Sequence, residues 1–212
     1  MAAGARSPKA IIFDLDEVLL DTRRAWRYAI EESIAMVCNR HVNAEPLVAE
    51  YRRRPWHHAL AILVETPSER QRCAELCVTI FERSGMKRLL VHEGIGMGLD
   101  AVRAGRMEMG AISRRRHGVA LKQVQSTGLD RFLAVLSATP EGESWQPEAR
   151  VSDCLRFLER EPGDCLFVGC GRFELEQVAG SGIYCFEAAW ASTERAGFPA
   201  IQTPAAIPAA GR

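Results

Sequence analysis

Two aspartates separated by one residue follow a short apolar run early in the chain. Residues 11–13 (Ile-Ile-Phe) lead directly into Asp14, and Asp16 follows after one leucine. A short apolar run with a helix start signal soon after it predicts a buried strand, a loop and then a helix. Parallel α/β sheets bind ligands beyond the carboxyl ends of their strands, and residues i and i+2 of a strand face the same side. We therefore expect both carboxyl groups to face one pocket, although acids in this pattern also cap helices and close turns.

The residues after this pair are patterned as helices for a long stretch. Apolar residues at i, i+3 and i+4 spacing predict an amphipathic helix over 22–39. From residue 44 to residue 90 the pattern remains helical, with breaks at Pro55 and Pro67. Helices are predicted at 46–53, 57–64 and 68–84. No strand pattern interrupts this region, so we predict a helical insertion over residues 22–90.

Strand and helix patterns alternate again after residue 94. Strands are predicted at 107–112, 134–137, 165–169 and 183–186, and helices at 99–104, 118–127, 151–159 and 173–179. This alternation predicts a doubly wound parallel α/β sheet with right-handed crossovers, formed by residues 1–21 and 91–212. The glycine-rich residues 94–98 are expected to form a flexible connection. The end of the Ala- and Pro-rich segment 199–212 is expected to be loosely attached.

The composition argues against several classes of partner. The formal net charge of the 212 residues is zero, which removes any bulk electrostatic argument for nucleic acid or an anionic membrane. No apolar run is long enough to span a bilayer, and the first ten residues lack the apolar core of a signal peptide. We therefore expect a cytoplasmic protein that binds neither nucleic acid nor membranes.

Residues 11–22 resemble the first signature of the haloacid dehalogenase (HAD) superfamily, in particular its phosphoglycolate-phosphatase-like branch. The residues that fit are Asp14, Asp16, Leu19, Asp21 and Thr22, whereas Glu17 and Val18 stand where the family usually has Gly-Thr. The resemblance implies that Asp14 attacks phosphorus and that Asp16 acts as general acid and base and binds magnesium through its backbone carbonyl. It also implies an HAD-like, Rossmann-type core with an inserted α-helical cap, the cap being residues 22–90.

Ser113 matches the second signature of this family, which implies that its hydroxyl binds the transferring phosphoryl group. Judged alone, a hydroxyl at a strand end is more often a helix N-cap. Arg114 follows Ser113 directly and is therefore expected close enough to the site to hold an anion there. Arg115 and Arg116 complete a run of the kind that usually forms a solvated face.

The third and fourth signatures are degenerate. The family has a lysine, commonly before a proline, where this chain has Gln146 before Pro147. The resemblance therefore implies Gln146 as a phosphate-binding residue together with Ser113 and Arg114. The family has acids after the fourth strand that hold magnesium, where this chain has Cys170 and Glu174. The resemblance thus leaves Asp14, Asp16 and Glu174 as metal ligands. Magnesium prefers hard oxygen ligands, so a thiol at position 170 predicts that it binds weakly or not at all.

Two functions therefore compete. The first is an HAD-like phosphatase that hydrolyses a small phosphorylated metabolite through an aspartyl-phosphate, with weakened magnesium-dependent catalysis. The alternative is a catalytically inactive HAD-fold protein that binds a ligand or a protein partner or has a regulatory role. Two carboxylates about 5 Å apart repel by roughly 3 kcal/mol at an effective dielectric of 20. In the family, magnesium and the lysine offset this repulsion, whereas here the lysine is replaced by Gln146 and one magnesium ligand by Cys170. A dehalogenase is disfavoured, because dehalogenases of this superfamily need no acid at position 16.

Overall fold

The computed structural model describes residues 8–50, 59–192 and 195–210. Contacts divide the chain into two compact units. One unit consists of Met1–Asp21 and Val91–Arg212, and the other is Thr22–Leu90. The functional assignment of the second unit as a cap stays a prediction.

The described part of the first unit is built on a parallel sheet. The strands of the described chain are β1 (Ala10–Asp14), β2 (Leu20–Asp21), β3 (Leu90–Val91), β4 (Glu108–Arg116), β5 (Val135–Thr139), β6 (Cys165–Gly169), β7 (Tyr184–Ala188) and β8 (Ala200–Ile201). Six of them form a sheet in the order β5-β4-β1-β6-β7-β8, with parallel pairing throughout. The chain builds outward from β1 on one side and then on the other, so the strand order reverses between β1 and β6. The predicted doubly wound parallel sheet is confirmed, and its ligand crevice is expected at this reversal.

Helices cover both faces of this sheet. The α-helices are α1 (Arg23–Cys38), α2 (Glu45–Glu50), α3 (Pro67–Arg83), α4 (Ile95–Ala104), α5 (His117–Thr127), α6 (Pro147–Leu158) and α7 (Arg172–Ala179). Ile11 and Phe13 of β1 belong to the apolar cluster that includes α4 and α5 residues, whereas Ile12 belongs to the one with α6 and α7 residues. Because successive side chains of a strand point to opposite faces, β1 is buried on both sides. This explains why residues 11–13 are all apolar.

The described part of the second unit is mainly helical. α1 and α3 pack against each other, and the rings of Trp26 and Phe81 stack with centroids 4.2 Å apart. Short 3₁₀ turns occur at Leu60–Ile62 and Gly85–Arg88. Of the predicted helix at 57–64, the described residues show Ala59 in α-helical conformation followed by the first of these turns. Parts of the predictions at 46–53 and 57–64 lie outside the described residues. No helix in the described ranges is both long and apolar enough to cross a membrane.

Two segments predicted to be loose are instead packed in the first unit. Residues 95–98 form the first turn of α4, and the 3₁₀ segment Pro204–Ala209 packs against this helix. A Cβ on Gly98 would lie 2.5 Å from the Pro204 carbonyl oxygen, so the glycine permits this close approach. Ile207 is completely buried in the same apolar cluster. The expectation of a flexible connection is therefore wrong. The C-terminal segment is packed as far as residue 210, and residues 211–212, to which the expectation of a loose end applies, lie outside the described ranges.

Candidate active site

Asp14 is the last residue of β1 and lies at the point where the strand order of the sheet reverses. Its exposed fraction is only 2%. One carboxylate oxygen, Oδ1, accepts a hydrogen bond of 3.0 Å from the backbone N–H of Asp16. The other oxygen, Oδ2, is buried and has no hydrogen-bond partner among the described residues. A buried carboxylate oxygen without a donor is energetically costly, and such groups are concentrated at functional sites.

Asp16 does not continue the strand. Leu15–Leu19 forms a single π-helical turn, which Asp14 caps through Oδ1. Such turns occur often at functional sites. The expectation that i and i+2 strand geometry orients the two acids is therefore wrong. The turn brings them together instead, and all five of its residues are buried.

The Asp16 carboxylate is fully buried and accepts four hydrogen bonds. The donors are the Ser113 hydroxyl at 2.7 Å, the Arg114 backbone N–H at 3.2 Å, the Arg115 Nε at 3.3 Å and the Gln123 side-chain amide at 3.4 Å. Charge-assisted hydrogen bonds of this kind are the strong ones in proteins. They hold the Asp16 side chain within the protein, on the side of β4 and α5.

Ser113 lies inside β4, which continues through Arg116 rather than ending at the serine as predicted. Its hydroxyl donates to Asp16 and accepts a hydrogen bond of 3.1 Å from the Arg115 backbone N–H. The pairing of β4 with β5 is irregular between Ser113 and Arg116. The interpretation of Arg115 as part of a solvated face is wrong, because its side chain is only 12% exposed and pairs with Asp16.

Sequence reasoning missed Arg115 and Gln123 as members of this network. Gln123 lies in α5 at i+3 from Ala120 and directly before Val124, and all three residues are buried. A polar residue on the buried face of an amphipathic helix is a signal that could have identified it. Arg115 carries no comparable signal, because its inward position depends on the irregular pairing of β4.

Arg114 and Glu174 form a close ion pair in the same region. The Arg114 Nη2 lies 2.5 Å from the Glu174 Oε1, and the two side chains are 20% and 11% exposed. The guanidinium also lies 5.9 Å from the centroid of the Trp145 ring. Gly171, at φ 90°, shapes the loop before α7, and a Cβ there would lie 3.1 Å from the Glu174 Oε2. The glycine therefore leaves room for this carboxylate.

Several charges act on Asp14 at once. Burial raises the pKa of its carboxyl well above the usual value for aspartate. Arg114 lowers this pKa and is the largest charged influence on it, whereas Asp16, Glu174 and Glu17 raise it further. Arg114 is thus the principal cation that favours the ionised form of Asp14.

The remaining predicted site residues are placed differently. Cys170 is buried directly after β6, as expected for the position of the missing acid. The Gln146 side chain is exposed just before α6 and makes no hydrogen bond or ion pair with the described site residues. The structure thus brings together Asp14, Asp16, Ser113, Arg114 and Glu174, but Gln146 forms no hydrogen bond or ion pair with them.

The described residues do not fit a magnesium ion. They contain no group of three or more His, Cys, Asp or Glu side chains arranged to hold a metal. The Glu174 carboxylate is already paired with Arg114, and the Cys170 thiol is a soft ligand. Magnesium requires near-octahedral oxygen ligands, which this arrangement does not supply.

Comparison with known proteins agrees with the geometry. The family described as haloacid dehalogenase-like hydrolase matches residues 11–186. A HAD-like family protein from Streptococcus pneumoniae is similar in structure, with a TM-score of 0.82 and 14% identity over 95% of this chain and 97% of that one. A subfamily IA hydrolase from Geobacter sulfurreducens has a TM-score of 0.78 and 18% identity over 97% of both chains. A predicted phosphoglycolate phosphatase from Haemophilus somnus has a TM-score of 0.75 and 14% identity over 96% of this chain and 98% of that one.

The chain belongs to the haloacid dehalogenase-like hydrolase family, because the match covers most of its length. The structural similarity, at such low identity, supports the HAD fold alone. The curated proteins include no match. The family relationship and the fold are thus established, whereas the reaction and the substrate must be argued from the site.

Proposed function

We propose that this protein is a hydrolase of the phosphatase type, with low turnover and with Asp14 as its nucleophile. The observation that carries this proposal is the Asp14 Oδ2 atom at the carboxyl end of β1, which has no hydrogen-bond partner in the described chain. A nucleophilic carboxylate needs an oxygen whose lone pairs are not engaged by donors. Family membership supports the same reaction class. The substrate class is a small phosphomonoester.

The reaction proceeds by two displacements at phosphorus. Asp14 Oδ2 forms a bond to phosphorus while the bond to the ester oxygen breaks, and the departing alkoxide takes up a proton from Asp16. Water then gives a proton back to Asp16 and attacks the aspartyl-phosphate, which releases inorganic phosphate and restores the Asp14 carboxylate. The Arg114 guanidinium is the group best placed to offset negative charge near Asp14.

Two features of the site explain why turnover would be low. Asp16, the expected general acid and base, accepts four hydrogen bonds, so its oxygens are engaged by fixed donors. The site also combines four carboxyl groups (Asp14, Asp16, Glu17, Glu174) with two guanidinium groups (Arg114, Arg115), a formal charge of −2 when all are ionised. A phosphate dianion is repelled by such a site, and protonation of Asp14 weakens this repulsion only by making Asp14 a poor nucleophile.

The proposal also covers the role of the helical unit, the partner and the cellular compartment. We propose that residues 22–90 act as a cap that selects the substrate, as the family resemblance implies. The partner is a small phosphorylated metabolite, and the compartment is the cytoplasm. A zero net charge supports neither nucleic acid nor an anionic membrane as partner.

The direct test is hydrolysis of a panel of phosphomonoesters by the purified protein, with and without magnesium. Asp14→Asn is the matched control, because it keeps the shape of the side chain and removes the nucleophile. We expect slow release of phosphate that disappears in Asp14→Asn. Release that persists unchanged in Asp14→Asn would contradict the assignment of the nucleophile.

A second candidate is a catalytically inactive HAD-fold protein with a ligand-binding, partner-binding or regulatory role. The engagement of Asp16 by four donors favours this candidate, because these hydrogen bonds would give Asp16 a structural role in place of a catalytic one. Absence of Asp14-dependent phosphate release across the panel, together with saturable binding of a phosphorylated metabolite, would support this candidate over the first.

A further inference from the structure

The Arg114–Glu174 pair has a charge arrangement that the proposed phosphatase chemistry does not explain by itself. Glu174 is the only acid that the chain retains at the fourth signature of the family, and its Oε1 is bound by the Arg114 guanidinium at 2.5 Å. The neighbouring Cys170 thiol offers no hard oxygen, and the described residues contain no cluster suited to a metal. The carboxylates around Asp14 still require positive charge, because like charges at close range repel.

We propose that the Arg114 guanidinium takes the place of a divalent cation at this site, so that the protein does not bind magnesium there. Arg114 contacts Glu174 directly and is also the largest charged influence on Asp14. One side chain therefore acts on two acids, because it pairs with Glu174 and lowers the pKa of Asp14. This inference does not depend on whether the site turns over a phosphoester.

Arginine is well suited to this task. Its guanidinium is more weakly hydrated than an ammonium group, stays protonated at any relevant pH and presents several donors in a fixed plane. The pair is largely buried, where screening by salt is weak. The Trp145 ring near the guanidinium adds a favourable face for a cation. Arg114 also lies directly after Ser113 on β4, so a rigid strand holds its backbone.

A guanidinium differs from a metal in one testable way. The guanidinium pairs with the Glu174 carboxylate but cannot be removed by a chelator. Its removal by mutation leaves the carboxylates free to bind added cations. In Arg114→Gln, Glu174 loses its partner and again offers oxygen ligands beside Asp14. We therefore expect Arg114→Gln to bind magnesium at least about tenfold more tightly than the unaltered protein, a difference of about 1.4 kcal/mol.

The experiment is calorimetric titration of the whole protein with magnesium chloride, alongside thermal unfolding with magnesium or with EDTA. For the unaltered protein we expect no saturable heat and the same Tm in both conditions. For Arg114→Gln we expect a lower Tm in EDTA that magnesium partly restores. A role of Arg114 in packing alone would lower the Tm without creating a magnesium response.

Arg150→Gln is the matched control. The Arg150 side chain is 13% exposed and pairs with Glu143 and Asp153, so it resembles Arg114 in burial and in partners. We expect a lower Tm and no response to magnesium. If Arg114→Gln does not fold, Arg114→Lys keeps the charge and should remain insensitive to magnesium. Saturable magnesium binding by the unaltered protein, or an equal magnesium response in Arg150→Gln, would overturn the proposal.

Discussion

The hydrogen bond between Ser113 and Asp16 makes a quantitative prediction about stability. Ser113→Ala removes a 2.7 Å donor from a fully buried carboxylate and also removes the acceptor of the Arg115 backbone N–H. A hydrogen bond to a charged group contributes about 1.5–3 kcal/mol, and a buried donor left without a partner costs about 1–3 kcal/mol. The three other donors to Asp16 remain, at longer distances of 3.2–3.4 Å.

Because those three donors remain, we expect the lower half of this range. The two contributions together amount to about 2.5–6 kcal/mol, so the free energy of unfolding should fall by about 2.5–4 kcal/mol. For a protein of this size, about 3 kcal/mol corresponds to a decrease of about 6–12 °C in Tm. The perturbation should act through Asp16 and not through a lost volume, because replacing a hydroxyl with hydrogen removes a single heavy atom.

Chemical denaturation and thermal unfolding measure this change. Ser137→Ala is the matched control, because Ser137 lies on the neighbouring strand β5 and donates at 3.0 Å to Asp153, whose side chain is 31% exposed. The control should cost about 0.5–1 kcal/mol. A double-mutant cycle of Ser113→Ala with Asp16→Asn should show coupling of about 1–2 kcal/mol. Equal costs for the two serine variants, or a cycle without coupling, would refute the view that Ser113 anchors Asp16.

Three further predictions concern single residues. Burial raises the pKa of Asp14, so this group stabilises the fold fully below its unfolded pKa, and the contribution is lost as pH rises through the raised value. Asp14→Asn should therefore be more stable than the unaltered protein at neutral pH, by about 0.5–2 kcal/mol, and the gain should vanish in acid when denaturation is followed across pH. Gly171→Ala should lower the free energy of unfolding by about 1–3 kcal/mol, because φ is 90° and the new Cβ would crowd Glu174, and it should cost more than Gly142→Ala, where no atom lies within 4 Å. Gln146→Lys should change phosphate release less than twofold, since the side chain is exposed and forms no hydrogen bond or ion pair with the described site residues; a large gain in kcat would contradict this expectation.

Local patterns in the sequence were sufficient for the main elements. Residues 11–13 are apolar on both faces of a strand, and this pattern correctly predicted the buried strand β1 with Asp14 at its end. The alternation of strands and helices after residue 94 predicted the parallel sheet, because buried residues recur at a different spacing in a strand than in a helix. Errors at element ends, such as the extension of β4 through Arg116, reflect pairing with a neighbouring strand and not a local preference.

The amino-acid sequence by itself determined which chemical groups are available at the strand ends: the acids at positions 14 and 16, the hydroxyl at 113 and the thiol at 170. Only the tertiary structure decided how they are used. The donors to Asp16 come from residues 97–107 positions away, and Arg114 meets Glu174 across 60 positions. Contacts over such separations depend on how β4, α5 and α7 pack around β1. Local periodicity carries no information about that packing, so the pairing of charges at this site could be read only from the folded chain.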